Sequence, residues 1–143
     1  MNHEALRLDL QICFALHAAS RAMTAAYRPL LAELGLTYPQ YLVMMILWEE
    51  DGARVSRLGE RLALDSATLT PLLKRLESRG LVNRRRSTTD ERVVEVFLTA
   101  EGKRLKQRAA GVPAAVCRQS GLTLEQLGEL RDTLKELTRK MGE

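Results

Sequence analysis

Two cysteines, Cys13 and Cys117, are the side chains in this 143-residue sequence best suited to covalent chemistry. A thiolate attacks a peroxide oxygen to give a sulfenic acid and an alcohol, and a sulfenic acid condenses with a second thiol. The two cysteines are far apart in sequence and form no C-x-x-C pair. On residue type alone, a buried structural thiol competes with a reactive one at either position. His17 follows Cys13 by one helical turn and shares its face, where a protonated imidazole would stabilise a thiolate. An ordinary interface histidine is the alternative. With His3 as the only other histidine, soft ligands are too few for structural zinc, and neither metal nor cofactor is expected.

A second group of residues is suited to holding phosphate. Between Lys74 and Arg92 the basic residues are Lys74, Arg75, Arg79, Arg84, Arg85, Arg86 and Arg92, against Glu77, Asp90 and Glu91. This stretch therefore carries a charge equal to the +4 of the whole chain, and the remainder is formally neutral. Localised positive charge is the electrostatic footprint of a phosphate-binding surface, with a merely solvated basic face as the alternative. Just upstream, Ser66, Thr68 and Thr70 offer short hydroxyls that can approach base edges or phosphates at a helix N-terminus. Asp90 and Arg92 are two apart and can pair at a loop tip; spacing alone makes that an exposed ion pair of little energetic weight.

The elements that must position these groups are mostly helical. Hydrophobic residues make up 45% of the chain and aromatic ones only 4%, with Leu, Ala, Glu, Lys and Arg dominant. Apolar periodicity predicts a first helix from Leu6 to about Leu34, disturbed by Pro29 and ended by Gly35. Thr37 with Gln40 forms a capping box for a strongly apolar helix through Glu50. Two short helices follow. Ser56 can cap the first, and Asp65 or Ser66 the second, whose Leu69, Leu72, Leu73 and Leu76 form one stripe interrupted by Pro71. The period then switches to two in Leu81–Arg86 and Val94–Leu98, which predicts a β-hairpin. Thr99 caps a helix running to about Gln119 and disturbed near Gly111 and Pro113. Thr123 with Gln126 opens a last helix striped by Leu127, Leu130, Leu134, Leu137 and Met141.

This order is mainly α with a small β-hairpin wing: a winged helix-turn-helix over residues 37–98, preceded by an N-terminal helix (1–36) and followed by C-terminal helices (99–143). The outer helices carry more apolar face than a small central domain covers, so they are expected to pack against a second copy, making a homodimer. A helix that buries leucines and presents Ser66, Thr68, Thr70, Lys74 and Arg75 outward suits double-stranded DNA. No apolar run reaches the roughly 20 residues of a membrane span. Glu4, Arg7 and Asp9 spoil a secretory signal, so a cytoplasmic location with reduced thiols and no membrane partner is expected.

Asp90-Glu91-Arg92, followed by strand residues and Leu98-Thr99-Ala100-Glu101-Gly102, resembles the wing signature of the MarR family of bacterial regulators. The run Leu64-Asp65-Ser66-Ala67-Thr68-Leu69-Thr70-Pro71-Leu72-Leu73-Lys74-Arg75-Leu76-Glu77 is similar to the recognition helix of its organic-hydroperoxide-resistance repressors. The opening Leu10-Gln11-Ile12-Cys13-Phe14-Ala15-Leu16 also resembles that branch. The resemblance implies a homodimeric repressor on palindromic operator DNA, with organic hydroperoxide as inducer. It makes Cys13 the redox sensor and Cys117 the resolving cysteine, disulfide-linked across subunits after oxidation. It makes Tyr27 and Tyr38 the hydroxyls that stabilise the thiolate. It makes Arg92 the minor-groove arginine, in place of the bland ion pair that spacing suggests, alongside Arg84, Arg86 and Asp90 in the wing. An apolar surround of Phe14, Leu16, Met44 and Met45 would suit alkyl or lipid hydroperoxides. A MarR-type repressor released by a small phenolic or other anionic ligand is the alternative. A thiol peroxidase acting through Cys13 and Cys117 is a remote one, since the basic hairpin would then have no purpose; no enzyme activity is expected.

Overall fold

The computed structural model describes residues 3–142 and is mainly helical, with one small antiparallel sheet. The helices are α1 (Ile12–Ala32), α2 (Tyr38–Glu49), α3 (Val55–Leu62), α4 (Ser66–Ser78), α5 (Ala100–Ala109), α6 (Val112–Ser120) and α7 (Leu124–Met141). The strands are β1 (Ala53–Arg54), β2 (Val82–Arg86) and β3 (Val94–Leu98). The winged helix-turn-helix order expected from the sequence is present.

Local chemistry explains most boundaries. The Thr37 hydroxyl accepts from the Gln40 N–H at 3.3 Å while the Gln40 side chain accepts from the Thr37 N–H at 3.0 Å, a complete capping box. Thr123 and Gln126 repeat it at the start of α7. Asp65 caps α4 and Thr99 caps α5. α1 departs from the periodic reading: it starts at Ile12, after two short 3₁₀ turns at Glu4–Leu6 and Leu8–Leu10. The Gln11 amide donates to the Ala5 and Arg7 carbonyls at 2.7 and 2.8 Å, which holds the chain in those tight turns. α1 runs through Pro29 unbroken, and Gly35 turns the chain at φ +69°. Ser56 lies inside α3 rather than capping it; the residue ahead of α3 is Arg54, in extended conformation with no side-chain cap. The helix expected from Thr99 to Gln119 is two helices, because Gly111 and Pro113 end one and open the other.

The described chain gathers into two compact units, one of them Arg28–Ala110, the other the chain up to Tyr27 and from Gly111 onward. In Arg28–Ala110 the core is built from Leu31 at the end of α1, Val43, Met44 and Leu47 of α2, Leu58 of α3, and Leu69, Leu73 and Leu76 of α4, all at most 1% exposed. Val82 and Val96 close it from the sheet, whose strand order is β1-β3-β2. β2 pairs with β3 from Val82↔Leu98 to Arg86↔Val94, and β1 adds Ala53↔Val96 and Arg54↔Glu95 on the other edge. Ala63, between α3 and α4, is left-handed at φ +54°. The Trp48 indole N–H donates to the Gly102 carbonyl at 3.0 Å, fastening α2 to the start of α5.

In the other unit, α6 buries Val112 and Val116, whereas α7 has no buried residue. Leu8, Leu10, Ile12, Phe14, Leu124, Leu130 and Leu137 are exposed large apolar side chains. Solvation does not account for so much apolar surface gathered on one unit.

Candidate nucleic-acid interface and thiol site

The inward turn of four leucines sets what α4 can offer. With Leu69, Leu72, Leu73 and Leu76 buried, Ser66, Thr68, Lys74 and Arg75 are exposed and Thr70 is half-buried. The Asp65 carboxylate accepts from the Thr68 N–H at 2.8 Å, and that bond holds its carboxyl below the usual range. Pro71 faces solvent within the helix and supplies no N–H.

The wing is fastened to α4 by one carboxylate. Glu77 accepts the Arg84 backbone N–H at 3.0 Å and its guanidinium at 3.2 Å, and the backbone bond is the larger reason its carboxyl is lowered. Arg84 thus engages the protein, with only 27% of its side chain exposed and its Nε buried without a partner. At the tip, Asp90 accepts from the Arg92 N–H at 3.0 Å and from its Nε at 3.2 Å. The pairing that the spacing suggested is therefore formed, while the Arg92 side chain remains 91% exposed. Arg92's N–H first, its guanidinium next, and Arg54 through charge keep the Asp90 carboxyl lowered. Arg86 donates to the Glu91 carbonyl at 2.7 Å, and Arg85 stacks over Phe97 at 4.9 Å.

These elements enclose a cleft of about 380 Å³ that brings together Ser66, Thr70, Arg84 and Arg92, with Arg54 and Ser56 joining from β1 and α3. The sequence pattern singled out neither Arg54 nor the role of Glu77. Arg54 reaches the cleft because β1 pairs with β3, a register no local pattern encodes. Glu77 was legible only as one acid in a basic run. The cleft and helix face present hydroxyls, N–H groups and cations together, a set that binds phosphate oxygens and base edges.

Both thiols are free: Cys13 is exposed on α1 and Cys117 half-buried on α6. His17 is exposed on the face of α1 that carries Cys13, beside exposed Ile12 and Phe14. Tyr27 lies on the same helix, half-buried, 14 residues beyond Cys13. At 1.5 Å per residue that is about 21 Å, so Tyr27 cannot reach the sulfur of its own α1. Tyr38 opens α2, half-buried, with its ring 6.4 Å from that of Tyr41. Met44 is wholly buried in the core and unavailable to line a substrate surface, whereas Met45 is partly exposed. Among the described residues no His, Cys, Asp and Glu cluster could hold a metal ion, and no helix is long and apolar enough to cross a membrane.

The profile of the transcriptional regulator SarA/Rot family matches residues 25–109. The chain is 48% identical over 134 residues to the organic hydroperoxide resistance transcriptional regulator of Bacillus subtilis (strain 168), covering 92% of this chain and 91% of that protein. It superposes on reduced AbfR bound to DNA with a TM-score of 0.79 at 36% identity, over all of both chains. AbfR, from Staphylococcus epidermidis, has also been solved disulfide-formed (TM-score 0.66, 39% identity, 95% of this chain and 96% of that) and overoxidized on DNA (0.72, 42%, 94% and 98%).

Proposed function

Since the chain belongs to the MarR family of transcriptional regulators, in its organic-hydroperoxide-resistance branch, we propose that it is a repressor that holds operator DNA while reduced and lets go when Cys13 is oxidised. The observation that carries this reading is a free, exposed Cys13 on an apolar, uncovered face of α1. A homodimer formed through α1 and the C-terminal helices would cover that face and bring a second copy's hydroxyls toward the sulfur. Tyr27 and Tyr38 of the partner subunit then become the donors, consistent with the span that separates Cys13 from Tyr27 within one helix.

The Cys13 thiolate attacks the terminal oxygen of an organic hydroperoxide. The O–O bond breaks, the alkoxide leaves and takes a proton to become the alcohol, and sulfur is oxidised by two electrons to a sulfenic acid. Cys117 of the partner subunit, as thiolate, attacks that sulfur; the S–O bond breaks, hydroxide leaves as water, and an S–S bond forms. Overoxidized AbfR has been solved on DNA, which favours the disulfide as the form that releases DNA here. On the DNA side, Ser66, Thr68, Thr70, Lys74 and Arg75 enter the major groove with α4. Arg86 and the Asp90-braced Arg92 follow the backbone and minor groove, and Arg84 holds the wing in place. Release follows because closing the disulfide alters the spacing of the two recognition helices, which must fit half-sites about one helical turn apart.

The test is operator binding to the palindrome beside the gene, before and after one equivalent of cumene hydroperoxide, with intact mass under non-reducing conditions. Loss of binding with a Cys13–Cys117 linked dimer, restored by dithiol, is expected. Retained binding with Cys13 unmodified overturns the reading. The cleft lined by Arg54, Ser66, Thr70 and Arg92 favours one second reading, release by a small anionic ligand seated there. Cys13→Ser separates them: a ligand-released repressor still responds to its inducer, whereas the hydroperoxide sensor becomes unresponsive.

A further inference from the structure

The carbonyl end of α1 is gripped by two guanidinium groups. After Ala32 the Leu36 N–H turns back onto the Leu31 carbonyl at 3.0 Å, with Gly35 left-handed between them. This closure leaves the carbonyls of Glu33, Leu34 and Gly35 beyond the last turn, at the negative end of the helix dipole. Arg108 of α5 donates to the Glu33 carbonyl at 2.8 Å. Arg79 donates to the Gly35 carbonyl and, at 3.4 Å, to that of Leu34. Arg79 is the residue that ends the recognition helix, and its own N–H closes onto the Arg75 carbonyl at 3.1 Å.

We propose that Arg79 is a positioning residue that couples the recognition helix to the end of the sensor helix, so that displacement of α1 at Cys13 reaches α4. This rests on the sensor reading of Cys13 given above. The buried leucines at the same junction, Leu31, Leu34 and Leu36, also hold α1 to the core, but apolar packing is non-directional and tolerates sliding. A forked guanidinium on two successive carbonyls fixes both angle and register. α1 is one continuous helix from Ile12 to Ala32, so a single backbone joins Cys13 to these carbonyls. The carbonyl acceptors are backbone atoms, so the link depends on the donor at position 79 and on no particular side chain in the turn.

The test uses the full-length dimer carrying Arg79→Met, which keeps an apolar stem and removes the donors, with Arg79→Lys as the conservative variant. Operator affinity is measured reduced and after cumene hydroperoxide, with intact mass to verify oxidation of Cys13. Arg79→Met should oxidise at Cys13 as readily as wild type, and each chain's oxidised affinity is compared with that of its own reduced form, so that any change in basal operator binding divides out. Its oxidation-dependent loss of affinity should shrink by about tenfold, the usual scale of a coupling interaction, with part of the response restored in Arg79→Lys. A parallel arm is independent of peroxide chemistry: Cys13 is alkylated with N-ethylmaleimide in a Cys117→Ser background, with and without Arg79→Met. Alkylation should weaken operator binding only where Arg79 is present. If wild type ignores cumene hydroperoxide but answers alkylation through Arg79, the sensor reading fails and the coupling stands. Equal responses in both chains to either treatment, or no response to alkylation with Arg79 in place, overturn the coupling.

Discussion

At the scale of single residues, the consequential group is Glu77, because one carboxylate fixes the wing to the recognition helix through two bonds to Arg84. Its carboxyl is lowered in the folded protein, so its contribution is present in full above the ordinary value of 4.5 and drains away as pH falls through the lower folded value. Glu77→Gln should therefore melt below wild type at neutral pH and bind operator more weakly. The difference in thermal midpoint should narrow as pH falls from 4.5 through the lower folded value, beneath which wild type carries a neutral acid too. A gap unchanged across that range would mean Glu77 acts through shape alone. Nothing local announced this role: Glu77 lies near the end of a helix and Arg84 in the strand that follows, so no single period relates them and only the fold brings them together. Arg54 was hidden for the same reason. Asp90 and Arg92, two residues apart, were legible as a pair, and Cys13 was legible as a free thiol in an apolar helix. What Cys13 touches was not legible: the single chain leaves it exposed, and the proposed homodimer would complete that surface with a second copy.

At the scale of elements, legibility followed the range of the interaction that sets each boundary. The capping residues Thr37, Asp65, Thr99 and Thr123 all bind a backbone N–H three residues ahead, and each boundary was readable. β1 was not, since two residues become a strand only through pairing with Val96 and Glu95. The late start of α1 depends on a Gln11 side chain reaching back to Ala5, a contact that competes with helix and leaves the apolar period intact. The junction of β3 and α5 supplies a prediction. A methyl group at Gly102 would collide with the Leu81 carbonyl, a backbone atom that cannot swing aside, and Gly102 also receives the Trp48 N–H. Gly102→Ala should cost about 1–3 kcal/mol and lower the thermal midpoint by several degrees. An unchanged midpoint would show that the turn relaxes freely around the added methyl group.

At the scale of the whole molecule, the exposed apolar residues of α1 and α7 are where the proposed homodimer can be tested. Leu130 and Leu137 recur at the spacing of one helix face, and both are open to solvent in the single chain. Leu130→Glu should shift sedimentation from dimer toward monomer and weaken binding to the full palindrome far more than to a half-site. A variant that stays dimeric places the interface elsewhere. The Arg28–Ala110 unit has its own core and should keep its helical signature in that variant. Ala63 has a different bearing on the intact protein. It sits left-handed between α3 and α4, where a side chain costs roughly 1 kcal/mol that a glycine would not. The molecule is therefore short of its stability ceiling at a position outside the thiol site, and Ala63→Gly should raise the thermal midpoint by a few degrees. That margin gives an engineer a background in which damaging substitutions at Cys13 or the wing can be studied without losing the folded chain.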